Sequence, residues 1–477
     1  MTIVNEEAIS KSIREEITKI KQLFAIDTAS LKRITDHFVH QLEDGLTRPD
    51  AEIPMNITWV PSFPTGHETG RYITIDMGGT NLRICSVELT SERGGYSITQ
   101  DKYILPASLK LGTGGELWEM IAEKLQDFLA KHDLLPLAKG KGERGEGEGE
   151  EEKLPLAFTF SYPVTQEHIR HGVLQRWTKG FDIRGVEGED VVAQLESVLQ
   201  RRHIPVRIVA LVNDTVGTLI ASAYKNPEIR VGSIFGTGCN AAYMERCSQI
   251  PKISSSGNQI QFDEDSLVAI NCEYGAFDNS RRVLPRTKFD QDIDATSARP
   301  GQQTYEKMVA AMYLGELLRL ILLHLHESVG LFPDADVSRL REGGTMDAVS
   351  LSKMEADGSE AVRMGEAKRI LYDAYGIDAT DEELCVCCIL AEVVCARAAR
   401  LYACGIAALC RKQGVAECAV GVDGSAFEKY SQFRERAVGS LGEILDWPEG
   451  EERVKLVSAE DGSGVGAALI AAIILNQ

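Results

Sequence analysis

The stretch Asp76-Met77-Gly78-Gly79-Thr80-Asn81 sets a carboxylate two residues ahead of paired glycines, with a hydroxyl and an amide directly behind them. A phosphate group needs converging backbone N–H donors without side-chain obstruction, and a glycine turn of this kind supplies them. Asp76 offers a hard oxygen ligand for a Mg²⁺ carried on phosphates, and Arg83 adds positive charge. A second stretch, Asn213-Asp214-Thr215, follows an apolar run at 206–212 and precedes a helical pattern. Asp214 then falls at the carboxyl end of a strand, where open α/β sheets hold ligands. The two stretches together describe a phosphoryl donor and a base for its acceptor. Each also has a plainer reading, the first as a Gly-Gly hairpin and the second as a helix N-cap.

No GxxxxGK[ST] occurs, so a P-loop is absent. A second glycine turn does occur. The β-prone run 231–235 leads into Gly236-Thr237-Gly238-Cys239-Asn240, which repeats the order strand, glycines, threonine, asparagine. Two such turns could clamp a polyphosphate from both sides. Further polar residues stand in apolar surroundings: Ser161, Thr178-Lys179 after Trp177, Asn240, Glu273 and, at 306, another glutamate. Such side chains can satisfy a ring of sugar hydroxyls, which bring donors and acceptors but no charge. Singly, each reads equally as a cap or a surface group.

The elements that must position these residues can be read from periodicity. Ile9, Ile13, Ile17, Ile20 and Phe24 predict an amphipathic helix over 6–24, and Leu31, Ile34, Phe38 and Leu42 a second, capped by Ser30 and stopped by Gly45. Prolines at 54, 61 and 64 predict an irregular crossing segment and a lobe boundary. Strands are expected at 71–76 and 82–89, so that the first glycine turn joins a hairpin, and again at 156–160, 206–212 and 231–235. They alternate with helices at 116–131, 190–201 and 214–224, the pattern of an α/β protein. Apolar spacing predicts one core helix over 303–327. Near the end, Asp461-Gly462-Ser463-Gly464-Val465-Gly466 opens a helix whose small residues would let another backbone, and so a second lobe, come close.

A chain of 477 residues exceeds one hydrophobic core, so two compact lobes are expected. A formal charge of −20 disfavours nucleic acid and anionic membranes as partners. The first residues lack the basic and apolar regions of a signal peptide, and no run reaches the roughly 20 apolar residues of a membrane span, which points to the cytoplasm. Eleven cysteines, odd in number, fit reduced thiols. Cys385 and Cys388 have CxxC spacing, yet no second pair completes a zinc site, and the apolar context of 384–409 makes these cysteines core residues of a buried helix. Residues 139–153 hold five glycines and six glutamates and cannot bury enough surface to order themselves, so a flexible insertion is expected.

These residues resemble the hexokinase family, fungal hexokinases and glucokinases above all. The resemblance rests on the 76–83 stretch, Phe158-Thr159-Phe160-Ser161-Tyr162-Pro163, Leu174-Gln175-Arg176-Trp177-Thr178-Lys179, Val212-Asn213-Asp214-Thr215, Ile234-Phe235-Gly236-Thr237-Gly238-Cys239-Asn240, Ile270-Asn271-Cys272-Glu273-Tyr274, Arg299-Pro300-Gly301-Gln302-Gln303 and Ala459-Glu460-Asp461-Gly462-Ser463-Gly464. It implies an α/β fold of two actin-like (ribonuclease H-like) lobes, each a mixed β-sheet flanked by helices, with a ligand cleft between them. The small lobe would be 60–211 plus 459–477, and the large lobe 1–59 plus 212–458. By the same resemblance Ser161, Thr178, Lys179, Asn213, Asp214, Asn240, Glu273 and Glu306 would hold a hexose, with Asp214 as base and Lys179 and Arg83 assisting. Asp76, Gly78, Gly79, Thr80, Asn81, Arg83, Thr215, Gly236, Thr237 and Gly238 would meet ATP, Asp423, Gly424 and Ser425 would border its nucleoside, and Asp76 would reach Mg²⁺ through water.

The implied activity is ATP-dependent phosphorylation of glucose, fructose and mannose at the 6-hydroxyl, the first step of glycolysis, with sugar-induced closure, in a monomer or homodimer. Val164-Thr165-Gln166 resembles fungal glucokinases, whereas Gln175-Arg176-Trp177 and Cys272-Glu273-Tyr274 resemble the broad-specificity hexokinases. A narrower glucokinase, a non-catalytic glucose sensor and an actin-like ATPase are the competing readings.

Overall fold

The computed structural model describes residues 9–79, 81–135, 153–178, 181–255, 265–344, 346–356, 359–459 and 461–476. The chain divides into two compact units. One comprises Met1–Pro54, Ile234–Asn240 and Tyr274–Ser458; the other comprises Met55–Ser233, Ala241–Glu273 and Ala459–Gln477.

The second of these units is built on a five-stranded mixed sheet in the order Tyr96–Ile104, Asn81–Leu89, Gly70–Met77, Leu154–Phe160, Val206–Val212. The first three strands pair antiparallel, so Gly70–Met77 and Asn81–Leu89 form the expected hairpin. Leu154–Phe160 pairs parallel with both of its neighbours. Helices Gly114–Lys131 and Val191–Arg201 bury Leu117, Ile121, Leu125, Leu195 and Leu199 in one cluster with Ile73, Ile75, Ile84 and Phe158. Each such side chain removed from water stabilises the unit by about 1.5–3 kcal/mol. The helix expected from Glu116 starts earlier because Thr113 and Glu116 form a reciprocal capping box. Gly462–Leu475 packs on strands Gly70–Met77, Leu154–Phe160 and Val206–Val212 and on helix Asp214–Lys225. At Gly217 that approach is backbone to backbone: a Cβ placed on Gly466 would lie 2.1 Å from the Gly217 carbonyl oxygen. The pair Asn56–Ile57 and Leu267–Asn271 extends an antiparallel ladder with Cys239–Arg246, a strand partner hidden in the proline-rich segment.

In the other unit, helix Asp381–Lys412 is buried along nearly its whole length and packs against Thr28–Thr47, Ala311–Val329 and Ser431–Leu445. A helix surrounded on all sides carries apolar residues all round, which is why its six cysteines sit among Ala, Val, Ile and Leu. All eleven cysteines of the chain are buried and none forms a disulfide. Strands Cys418–Asp423 and Val454–Ser458 pair parallel beside these helices.

Three local expectations are corrected. The first helix is described over Lys11–Phe24, and residues 6–8 lie outside the described residues. The second runs Thr28–Thr47: Asp27 is its N-cap, accepting the Ser30 N–H at 2.7 Å, and Gly45 is buried within it. A carboxylate complements the helix dipole at that end and takes the amide in place of a Ser30 cap. The single helix expected over 303–327 is two, Thr304–Val309 and Ala311–Val329, broken at an extended Ala310. The Ala311 N–H leaves the helical ladder and donates to the Gly236 carbonyl at 2.9 Å. Apolar spacing cannot report such a tertiary competitor. Among the described residues no helix is long and apolar enough to cross a membrane. The acidic insertion lies outside the described residues except for Lys153.

Candidate active site

Three parallel strands, Gly70–Met77, Leu154–Phe160 and Val206–Val212, end at the same edge of their sheet. Asp76 and the glycine turn, Ser161, and Asn213-Asp214 follow directly from those ends, so the register alone gathers them. The Ser161 N–H donates to the Met77 carbonyl at 3.4 Å, and the Tyr162 hydroxyl donates to the Gly78 carbonyl at 3.1 Å. Gly78 closes the turn by donating to Asn81 at 3.1 Å. A Cβ on Gly78 would meet nothing nearer than the Asn81 carbonyl at 3.8 Å, so the turn is open on that side. Burial pushes the Tyr162 phenol up, and the charges of Asp214 and Asp76 add to it, so the hydroxyl that meets Gly78 is a neutral donor.

Helix Asp214–Lys225 is capped by Asn213, whose side chain accepts the Thr215 N–H at 2.9 Å. The cap reading of Asp214 is thereby corrected: Asp214 is the first helical residue, half-buried. Its Oδ1 accepts from the Thr215 N–H at 2.8 Å and the Thr215 hydroxyl at 3.2 Å.

Asp76 Oδ2 accepts from the Ser463 hydroxyl at 2.6 Å, and Ser463 Oγ in turn accepts from Arg83 Nη2 at 2.9 Å. The same guanidinium lies 2.5 Å from Asp461 Oδ1 and 3.6 Å from Asp76. The Asp461 contact is an ion pair, and among the described residues that oxygen has no hydrogen-bond partner by geometry. Arg83 thus shares its charge between two carboxylates. Thr159 anchors this corner by donating to the Ser463 carbonyl at 2.9 Å. Neither Ser463 nor Asp461 was assigned a site role from the sequence; they stood in the small-residue helix start and in the Ala459–Gly464 motif of the resemblance. Thr178 is placed by fully buried Trp177, whose indole N–H donates to Ile183 at 3.0 Å. Glu273 has a left-handed backbone, φ 56°, and accepts from the Asn271 side chain at 2.9 Å. A non-glycine residue held there costs about 1–3 kcal/mol, a strain that clusters at ligand sites. Lys179 and Thr80 lie outside the described residues.

In the other unit, Gly236 donates to the Gly238 carbonyl at 3.0 Å, making the second glycine turn tight. Glu306 Oε2 accepts from the Cys239 N–H at 3.1 Å, and a Cβ on Gly238 would lie 2.7 Å from that oxygen. Asn240 follows, half-buried. Gly424 has φ 136°, and a Cβ there would lie 2.1 Å from the Phe235 carbonyl oxygen, so the Asp423-Gly424-Ser425 backbone abuts the turn. Gln303, left-handed at φ 54°, has a buried Oε1 without a hydrogen-bond partner among the described residues. The sequence motif contained Gln303 but gave it no role. Burial, with the Glu306 charge, pushes the Tyr313 phenol up to about 12.

Two α/β units, each with a strand-ended glycine turn and one with a carboxylate at a helix start beside it, define the actin-like sugar-kinase class. Comparison with known proteins narrows this. Two family models, both described as hexokinase, match residues 16–224 and 230–473. The chain is 48% identical over 476 residues to a hexokinase of Emericella nidulans, covering 98% of this chain and 92% of that one. It is 35% identical to a glucokinase of Aspergillus niger, covering 98% and 99%. Its structure matches that of a Schistosoma mansoni hexokinase complexed with glucose with a TM-score of 0.84 and 35% identity, over 96% and 98% of the two chains. The chain belongs to the hexokinase family and is, as such, a sugar-phosphorylating enzyme.

Proposed function

We propose that the chain transfers the γ-phosphoryl group of ATP to the 6-hydroxyl of glucose, fructose and mannose, the first step of glycolysis, in the cytoplasm, as a monomer or homodimer. The observation that carries this reading is the convergence of the Asp76 turn, Ser161 and Asp214 at the carboxyl edge of three parallel strands. Asp214 accepts the hydroxyl proton. An ordinary carboxylate suffices, because a loose phosphoryl-transfer transition state needs little early proton removal and leaves the protein mainly positioning and charge stabilisation.

The donor chemistry fits a metal–nucleotide. Among the described residues no three His, Cys, Asp or Glu side chains gather as a metal site, so a divalent cation would take most of its oxygens from phosphates and water, with Asp76 adding a water-mediated contact. Bound Mg²⁺ would neutralise charge developing on the transferred group. Gly78, Gly79, Thr80, Asn81, Thr215, Gly236, Thr237 and Gly238 receive the phosphates, and Asp423, Gly424 and Ser425 border the nucleoside. Lys179 stabilises the migrating charge, and Arg83 does so while fixing Asp76. The hexose is held by Ser161, Thr178, Lys179, Asn213, Asp214, Asn240, Glu273 and Glu306; the orphaned Gln303 oxygen beside Glu306 has the character of an acceptor awaiting a hydroxyl. The lobes proposed to close are 60–211 plus 459–477 and 1–59 plus 212–458, a division that differs from the compact units in giving 55–59, 212–233 and 241–273 to the larger lobe. Water offers the same nucleophilic hydroxyl as the sugar, so its rejection requires that sugar binding itself complete the site by closing them.

The higher identity to a hexokinase than to a glucokinase favours the broader substrate range. A coupled assay of ADP release with glucose, fructose and mannose tests both levels. Turnover of all three with kcat/KM within about a hundredfold supports the broad enzyme, the span a pocket without strong polar rejection allows. Turnover of glucose alone makes it a glucokinase. ATP hydrolysis independent of sugar, or glucose binding without turnover, would overturn the reading.

A further inference from the structure

Behind the Gln303–Glu306 segment lies an ionic cluster that the proposed chemistry does not use. Asp294, on helix Lys288–Thr296, is nearly buried. Its Oδ1 accepts from the Gly301 N–H at 2.9 Å and from Lys307 Nζ at 2.7 Å. Its Oδ2 faces Arg281 and Arg286, each at 3.3 Å. Lys307, equally buried, donates a second hydrogen bond to the Arg299 carbonyl at 2.8 Å. Asp294 and Lys307 thereby tie the start and the middle of the 299–303 segment, at Arg299 and Gly301, to the following helix, Thr304–Val309.

That segment is a backbone which would not hold its form unaided. Gly301 has φ 79° and Gln303 φ 54°, two left-handed residues within three positions. Left-handed non-glycine residues persist where their surroundings over-determine them. Here the surroundings include Asp294 at Gly301 and, just after Gln303, Asn279, whose Oδ1 accepts from the Thr304 N–H at 3.1 Å. Lys307 is drawn to Asp294, while its neighbour Glu306 reaches the Cys239 N–H and, through Oε1, lies 3.5 Å from the Gln303 amide nitrogen. A buried lysine must hold its charge against a partner, so Lys307 fixes the rotation of this short helix and with it the direction of Glu306.

We propose that Asp294 is a positioning residue for hexose binding: with Lys307 it holds Gln303 and Glu306 in register, and sets sugar affinity without touching the sugar. The proposal rests on Glu306 being a hexose ligand. Glu306 is assigned to hydroxyls that do not react, so misplacing it removes binding made equally in ground and transition states, which raises KM and spares kcat.

The test uses the full chain and glucose, with ATP saturating. Asp294→Asn and Lys307→Met are each expected to raise the glucose KM about tenfold or more, the effect of losing a charged hydrogen bond, with kcat within about threefold. Lys307→Arg, which keeps the charge, should stay near the parent KM. Glu306→Gln should raise KM by itself, and Asp294→Asn added to it should raise KM little further, because both act through one contact. Variants that lose thermal stability but keep the parent KM would overturn the proposal, as would multiplicative KM effects of Asp294→Asn and Glu306→Gln. A parent KM in Glu306→Gln would instead remove Glu306 from the sugar site, and the role of Asp294 with it.

Discussion

The turn after Gly70–Met77 and the turn after Ile229–Phe235 share one spelling, strand, glycines, threonine, asparagine, and are held by opposite means. Around the first, the supports are ionised: Asp76, Arg83 and Asp461, joined by the Ser463 hydroxyl. Around the second, the supports are mainly backbone contacts, Gly424 against Phe235 and the Ala311 amide on the Gly236 carbonyl, with one carboxylate, Glu306, on the Cys239 amide. Charged supports can rebalance when a charged ligand arrives, since each partner has an alternative. A turn held mainly by packing has less such slack.

The comparison is broken most directly at Asp214, which stands beside the ionic turn. Asp214→Ala is expected to lower kcat by about 10²- to 10⁴-fold while glucose binding, followed by titration calorimetry, largely survives. Near-normal turnover would take the chemistry away from this side.

The packed turn should fail by unfolding. Gly424→Ala places a Cβ against the Phe235 carbonyl at a backbone angle side chains avoid, and should destabilise by about 2–4 kcal/mol in urea denaturation. Gly78→Ala meets open space and should change stability by less than about 1 kcal/mol. Equal losses at the two glycines would erase the distinction. Ser463→Ala, which removes the bridge between Asp76 and Arg83, should cost about 1 kcal/mol by thermal melting.

The smallest effect is in acid. Burial would raise the Asp294 carboxyl, but hydrogen bonds from Lys307 and Gly301 and the charges of Lys307 and Arg286 hold it below its ordinary 3.8. Its folded value being depressed, the unfolded chain binds the proton first. The stability it contributes is complete above the ordinary value and is lost as pH falls below about 3.8 through the folded value. Asp294→Asn should flatten the stability curve in that window, measured by urea titration at stepped pH.

Most of the sheet that carries Asp76, Ser161 and Asp214 was legible because its strands are runs of Ile, Val, Leu and Phe closed by glycine or polar residues. The residues that brace the site were not. Ser463 and Asp461 lie some 380 positions from Arg83, and no local pattern reports a partner at that distance. Asp294 carried no signal in the sequence and Lys307 fell inside the helix expected over 303–327; their ion pair around the Gly301 amide is a tertiary contact. The break at Ala310 escaped for a related reason: alanine favours helix, and only the Gly236 carbonyl overrides it.

The packing of Gly462–Leu475 against Gly217 also bears on how the protein is made. The unit containing Asp214 takes this helix from beyond Tyr274–Ser458, so on the ribosome its sheet and helix Asp214–Lys225 emerge with the seat for that helix vacant. The whole of the other unit must be synthesised before the missing piece arrives. Until then strands Gly70–Met77, Leu154–Phe160 and Val206–Val212 lack the partner that Gly462–Leu475 supplies, and the nascent chain carries exposed apolar surface of the kind chaperones bind. The order of synthesis therefore runs against the order of completion, and the half with the proposed base is begun early and finished last.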